Sequence, residues 1–514
     1  MRKNGFILLI VALASGLAAA GFTLGLASAR GHEAPPTIHC VNASGSGCAP
    51  GLSGGCYKSL QEAVDAAQSG DIIRVAGGVY TAPNGRLVAL HGKGLSIEGG
   101  YDLACGTQDA DLYPTILDGE GKGNVISVTQ TGGDVFLRWL TITNGNGDGN
   151  CSSGGYGYGC GGGVYVSNSD LRLGHSRLIH NSGAASSPGR GGGIYILNSL
   201  SDGHFVHIFD TEIISNTCSI SDTAYFQSGA GVEVWGSEVR LNDDRVVDNY
   251  CPGTSDGGGA YLDEISNATL HNNLFERNHS GRTSAGVHIS GPPVNVEITQ
   301  NRFQANAGSL GGAGSGIWLI NAVGQVDGNR FEGNTGGDVV RIRNSPYLTL
   351  TNNLLAENDG GIVVVGVSQP SQVNLTNNTL VGNGGSGLYA GYSVTATLVN
   401  NIIAEHDVSF WTDEVLTGTI TLDHNLLWNQ YESFTSTNNT LADPLLLENY
   451  YPSSKSPAID AGLTIPWLDH DIDGNPRPIG KGYDIGAFEY SPRPIYLPLV
   501  EKLPLLARRE SPNR

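Results

Sequence analysis

Two carboxylates, Glu233 in GVEVW and Asp263 in AYLDE, occupy short alternating segments one repeat apart in this 514-residue chain. If those segments pair side by side, strand dimensions put the two carboxyl groups about 8 Å apart. An inverting pair of acid and base needs that separation to admit a water. His288 in GVHIS and Arg341 in VVRIR hold the equivalent place in later repeats. They add a second proton carrier and a cation of the kind a polysaccharide lyase uses as base. Arg343 is a second such cation, and no acidic cluster for a lyase calcium adjoins either arginine in the sequence. Tyr165, Tyr195, Tyr261, Trp318 and Tyr389 fall at the same repeat position, with Trp235 two residues further on. Tyrosine and tryptophan faces stack on sugar rings, although stacked aromatics also stabilise an exposed sheet with no ligand at all. Asp469, Asp471 and Asp473, followed by Gly474, read as the first half of a calcium loop. The glutamate expected twelfth is replaced by Gly480, which leaves Asp484 or Glu489 to substitute and a structural turn as the competing reading. Ca2+ is the one cofactor these residues nominate. The histidines have no metal-ligand spacing, and no nucleophile elbow, phosphate loop or dinucleotide fingerprint occurs.

Placing such residues requires elements of matching period. GGGVYV, GGGIYI, GAGVEV, GGGAYL, SAGVHI, GSGIWL and GSGLYA are each a turn of small residues followed by in-out alternation, the mark of a short strand. Val164, Ile194, Val232, Ala260, Val287, Ile317, Val340 and Leu388 point inward on this reading, and the column from Tyr165 to Tyr389 points outward. A second pattern, from LHNNLFERN to LVNNIIAEH, is anchored at Asn273, Asn301, Asn329, Asn353, Asn378, Asn401 and Asn425. Its spacings are 28, 28, 24, 25, 23 and 24 residues, and a second asparagine or His406 follows five residues later. A period near 24 residues with two or three short strands is one coil of a solenoid. Stacked asparagines then bond to one another and to turn backbone, so these residues are structural. About a dozen coils form an all-β, right-handed parallel β-helix. Apolar spacing in YKSLQEAVDAAQ, residues 57–68, predicts a helix over its first coil.

Net charge is −20, with 28 basic residues against 48 acidic ones and no basic stripe, which argues against nucleic acid as a partner. Arg2 and Lys3, the apolar run Phe6 to Leu26 and the Ala27-Ser28-Ala29 cleavage pattern form an export signal. Uncleaved, it is the chain's only expected membrane contact. Eight cysteines in an exported chain imply disulfides. Cys218 and Cys251 each stand two residues after a ladder asparagine, so they meet on successive coils. Cys151 and Cys160 bracket a glycine-rich loop and are expected to pair. Cys40, Cys48, Cys56 and Cys105 allow three pairings, which spacing alone leaves open.

Residues 59–80, SLQEAVDAAQSGDIIRVAGGVY, resemble the opening segment of secreted pectin-lyase-like β-helix proteins. DPLLLENYYPSSKSPAIDAG, then DHDIDGNPRP and YDIGAFEY, resemble the terminal module of the choice-of-anchor Q family. That resemblance implies an exported bacterial β-helix, and it divides the chain into a signal or anchor (1–29), an N-terminal cap (30–71), a parallel β-helix (72–440), a capping C-terminal module (441–490) and a tail, disordered or sorting (491–514). Asp243-Asp244 resembles the paired aspartates of polygalacturonases, with Arg341-Ile342-Arg343 as an echo of R-I-K, but the G-H-G element is missing. The expected function is that of a secreted or cell-surface monomer, non-enzymatic, binding a polysaccharide or envelope glycan. The competing expectation is a lyase or glycoside hydrolase acting on pectin-like polymers.

Overall fold

The computed structural model describes residues 35–147, 159–184, 189–219, 228–253, 255–312, 314–412, 418–428 and 438–492. The chain divides into two units, 1–36 and 37–514, and the fold belongs to the second. The expected export signal and all but the first two residues of the tail lie outside the described residues.

Each coil contributes one strand to each of three long parallel sheets. Sheet I has 15 strands and runs from Cys56–Tyr57 and Ile38–Val41 to Ile420–Asp423. Sheet II has 14, from Gly78–Tyr80 to Thr440–Leu441, and sheet III has 12, from Val88–His91 to Val408–Thr412. Alternation in each strand sends one set of side chains into a continuous interior, where Val164, Ile194, Val232, Ala260, Val287, Ile317, Val340 and Leu388 are fully buried.

Single residues in the left-handed conformation turn sheet I into sheet II, such as Asn272 (φ 53°) and Asn352 (φ 51°). The asparagine that follows each turns inward. In the ladder through Asn273, Asn301, Asn329, Asn353, Asn378, Asn401 and Asn425, each side-chain oxygen from Asn301 onward accepts from the asparagine one coil earlier, and that of Asn273 accepts from Asp244 N. Each Nδ2 also donates to a strand carbonyl, so buried amides are satisfied in both directions. A second ladder runs from Asn181 to Asn383 and ends at His406, whose ring nitrogens bond the carbonyls of Asn383 and Leu380.

The N-terminal helix α1 spans Leu60–Ala66, shorter than the periodicity predicts. Ser59 and Glu62 form a capping box that fixes its start, and Tyr57 is held upstream in a strand pairing with Val41. Cys40 bonds Cys105 and Cys48 bonds Cys56, which selects one of the three possible pairings. Cys218 and Cys251 are bonded on adjacent coils with their Cα atoms 5.2 Å apart, as their register requires. Cys151, the expected partner of Cys160, lies outside the described residues.

The C-terminal segment departs from the expectation of an end cap. Ala458, Ile472, Ile485, Ala487 and Phe488 pack instead on the outer face of sheet II, against Leu354, Ala356, Ile402, Ala404 and Leu426. The left-handed residues Asn352, Asn377 and Asn400 donate to backbone carbonyls of this segment. In the pairs Asn352-Asn353, Asn377-Asn378 and Asn400-Asn401, one asparagine therefore serves the ladder and its neighbour serves the module.

Candidate functional site

The candidate column lies on sheet III in the expected register. Tyr165, Tyr195, Glu233, Tyr261, His288, Trp318 and Arg341 are successive partners, followed by Val363, Tyr389 and Trp411. Its exposure is not as expected. Tyr195 is buried, Glu233 is 0% exposed and His288 is 4% exposed. The cause lies a few residues upstream of each. Gly161, Gly191, Gly229, Gly257 and Gly314 adopt positive φ, and each turn folds back against the outward residue four positions on. A Cβ on Gly229 would stand 2.5 Å from that of Glu233.

That turn brings in residues the repeat pattern did not single out. Arg190 approaches Glu233 at 3.6 Å and lies over the Trp235 ring, while Trp235 Nε1 donates to Glu233 Oε1 at 2.8 Å. Burial pushes the Glu233 carboxyl up to about 7, against the opposing pull of Arg190, Trp235 and Ser228. Asp263 is turned to the next coil, where it accepts from Ser290 Oγ. The single hydroxyl proton of Ser290 goes to that carboxylate, so His288 Nε2, 3.0 Å from Ser290 Oγ, is the protonated nitrogen. His288 Nδ1 then faces the Ser284 hydroxyl at 3.4 Å. Burial holds the imidazole neutral, down to about 4. Ser284 takes a left-handed conformation (φ 54°) at a turn position where Gly257 and Gly314 stand on either side.

The structure therefore joins Asp263 to His288 through Ser290, and Glu233 to Trp235 and Arg190. It leaves Arg341 apart. Four strand spacings separate Arg341 from Glu233, about 19 Å, and its guanidinium is paired with Asp338 at 3.0 Å. Arg343 sits two residues further along the same strand, beside Ile320 and Val365. Tyr261 and His288 stack at 4.6 Å, and Trp318 meets His288 edge-on at 5.0 Å. Tyr165 stacks on Tyr195 at 6.1 Å, and Tyr389 meets the edge strand's Trp411 at 6.2 Å. The signal that would have found Arg190, Ser228 and Asp256 is their shared offset before each glycine turn, where they bridge in one row.

The calcium-loop aspartates do not converge. Asp471 is buried, and its oxygens accept from the backbone of Asp473, Asn475 and Glu489 and from the Asn475 amide. Asp473 faces Arg330 and Tyr451, and Asp469 faces His470. Among the described residues, the one group of three close metal-ligand atoms is Cys40, Cys48 and Cys56, all in disulfides. Asp484 and Glu489, the possible substitutes, belong to a buried knot with Arg477, which bonds Glu489 at 2.7 Å. Asp244 is a ladder residue: it is buried, and it accepts from Thr211 N and Asn242 N. This placement leaves the polygalacturonase-like pair no open site.

Three solved structures show distant similarity to the chain. Pectate lyase Pel9A superposes with a TM-score of 0.37 at 11% identity, over 89% of this chain and 97% of that one. XylC in complex with xylose gives 0.40 at 10% identity, over 89% and 98%. The PL6-family alginate lyase AlyGC gives 0.36 at 14% identity, over 77% of this chain and 54% of its own, so this chain spans about half of that enzyme. No curated protein sequence matches the chain. The sequence profile described as the right handed beta helix region matches residues 124–339, 254–403 and 311–430. Those matches run together over more than half of the 514 residues, and the chain belongs to the right-handed β-helix family.

Proposed function

We propose that this protein is an exported β-helix that binds glycans at the cell surface or envelope without cleaving them. One observation carries the reading: the groups on sheet III that could transfer protons are sealed or occupied. Glu233 has no exposed surface, His288 is held between two serines, and Arg341 is bound to Asp338. A general acid must reach the proton's destination, and the described geometry offers Glu233 no such path. Export is supported by the disulfides, which persist in oxidising compartments, and by the signal-like N-terminal sequence. No helix among the described residues is long and apolar enough to cross a membrane. The resemblance of residues 443–490 to choice-of-anchor Q modules supports a surface role, and the knot of Arg477, Asp484 and Glu489 gives that motif a structural purpose.

A second reading, a polysaccharide-degrading enzyme, draws on one feature. A carboxyl held near 7 is what an acid–base residue needs. The test is to incubate the purified chain with neutral and acidic polysaccharides, with and without calcium, following unsaturated-product absorbance, new reducing ends and retention on immobilised glycans. Retention without cleavage supports the binding reading. Cleavage that vanishes in Glu233→Gln makes this an enzyme.

A further inference from the structure

Sheet I carries a second surface, on the face away from the core, that the sheet III column does not include. Following one outward register from the N-terminal coils, it reads Phe136, Arg172, His207 and Arg240, then Thr269, Glu297, Gln325, Thr349, Asn374, Thr397 and Thr421. The later coils show the polar face of an ordinary solvated sheet. The earlier coils, Val135–Arg138, Leu171–Gly174, Phe205–Phe209 and Glu238–Asn242, do not.

Phe209 is the floor of this patch. Its sheet neighbour is Gly174, and a Cβ there would lie 2.2 Å from Phe209 Cζ, so the ring lies down over the glycine rather than standing off the sheet. His207 tilts against it at 4.9 Å. The wall comes from the turn between sheets I and II. His175 meets Phe209 at 88°, and Trp139 stacks on His175 at 5.3 Å with 9° between planes. Trp139 and His175 both hold left-handed backbone, φ 55° and 50°. Later coils place Asn272, Asn352, Asn377 and Asn400 there, which tolerate it far better than a tryptophan does. Arg172 and Arg240 lie over Phe205, and Arg138 and Arg172 over Phe136.

The charges choose the ligand. Arg172 pairs with Asp134, Arg240 with Glu238, His175 with Asp210 and His204 with Asp170. Burial, with Arg172 and Arg240 beside it, holds His207 below its usual range, so it offers a neutral donor and acceptor. Counting Arg138, three arginines face four carboxylates here, and such a mix on a chain of net charge −20 does not attract a polyanion. The arginines cover Phe136 and Phe205, whereas the Phe209 ring laid over Gly174 and the Trp139–His175 stack beside it, edged by paired polar groups, fit a sugar with an apolar CH face and hydroxyls at its rim. The three successive coils that carry Trp139, His175 and Phe209 span about 10 Å along the axis.

We propose that this corner of Phe209, Trp139 and His175 is the binding platform for a neutral polysaccharide chain. The proposal rests on the glycan-binding reading and moves the ligand from sheet III to sheet I. The probes are cellohexaose, xylohexaose and polygalacturonate, titrated by calorimetry against the full chain, with circular dichroism and melting temperature as folding controls. Phe209→Ala and Trp139→Ala each weaken binding of a neutral hexamer about tenfold, the loss of one stacked ring, while Phe209→Trp retains it. Gly174→Val, which tips the Phe209 ring without removing it, also weakens binding. If the hexamers bind and these variants match the wild type while Tyr165→Ala or Tyr389→Ala abolishes binding, the platform is wrong and the general glycan reading stands. If polygalacturonate binds more tightly than either hexamer, the neutral assignment is overturned. If no glycan binds the folded wild type, both readings fail together.

Discussion

Glu233 shows how one residue can look catalytic for a structural reason. Its carboxyl is fully buried, and burial is the largest influence on it, raising it from 4.5 to about 7. The native state therefore holds this proton more tightly than the unfolded chain does. Stability contributed by the protonated form is present below about 4.5 and is lost as pH rises through about 7. Glutamine has nearly the same shape and carries no charge to desolvate. Glu233→Gln is thus expected to match the wild type in melting temperature at pH 4.5 and to exceed it at pH 8, where the wild type must bury an ionised group beside Arg190. Melting curves across that range check it. A constant offset at every pH would mean that the carboxyl does not titrate in this window. Arg190 limits the gain, since the neutral amide of the Glu233→Gln variant would leave that guanidinium without the charge it now faces at 3.6 Å.

At the scale of elements, the module at 443–490 is fastened to sheet II by a buried ion pair and by asparagines at the turns. Arg477 and Glu489 have no exposed side-chain surface and bond at 2.7 Å, and Arg477 also reaches Asn352 Oδ1 and the Gly486 carbonyl. Removing one partner of such a pair leaves the other charge buried and alone, which costs about 3–5 kcal/mol. Arg477→Met is expected to release the module locally. Limited proteolysis would then cut within 443–490 while the solenoid stays intact, and Arg477→Met combined with Glu489→Leu should recover part of the protection. Resistance equal to the wild type would show that apolar packing alone holds the module. This attachment also marks how far the sequence can be read. The coils, the Asn273–Asn425 ladder, the Cys218–Cys251 bridge and the register from Tyr165 to Arg341 are legible, because each coil repeats its neighbour and stacking turns sequence period into position. The burial of Glu233 is not legible, since it depends on a glycine turn folded against it and on Arg190 and Trp235 closing over it. The module's seat on the flank depends on contacts more than 100 residues apart, such as Asn352 with His470. The sheet I platform escapes a reading of VFLRWL and FVHIF for their inward apolar centres, although their outward residues alternate just as regularly.

Across the whole molecule, each coil touches mainly the coils on either side, so stability is a sum of neighbouring interfaces rather than the property of one compact core. Phe275, Phe303 and Phe331 make this testable. They are buried at equivalent positions on three successive coils, with ring centroids 5.1 and 4.7 Å apart and planes within 6°. Asparagine ladders run on both sides of this stack, through Asn273, Asn301 and Asn329 and through Asn278, Asn306 and Asn334. The backbone there cannot collapse to refill a void without breaking ladder bonds. Phe303→Ala should therefore cost about 3–5 kcal/mol, as ring truncations in rigid cores do. In a one-dimensional array that loss weakens the two interfaces at that coil and no others. Hydrogen exchange should accelerate at Arg302–Gln304 and in the adjoining strands Leu274–Glu276 and Arg330–Glu332, while Val135–Arg138 keeps wild-type protection. Thermal melting should broaden or split in two. A single sharp transition at lower temperature, with protection lost evenly along the chain, would instead mean that coupling between coils exceeds the penalty of the cavity and that the solenoid unfolds as one unit.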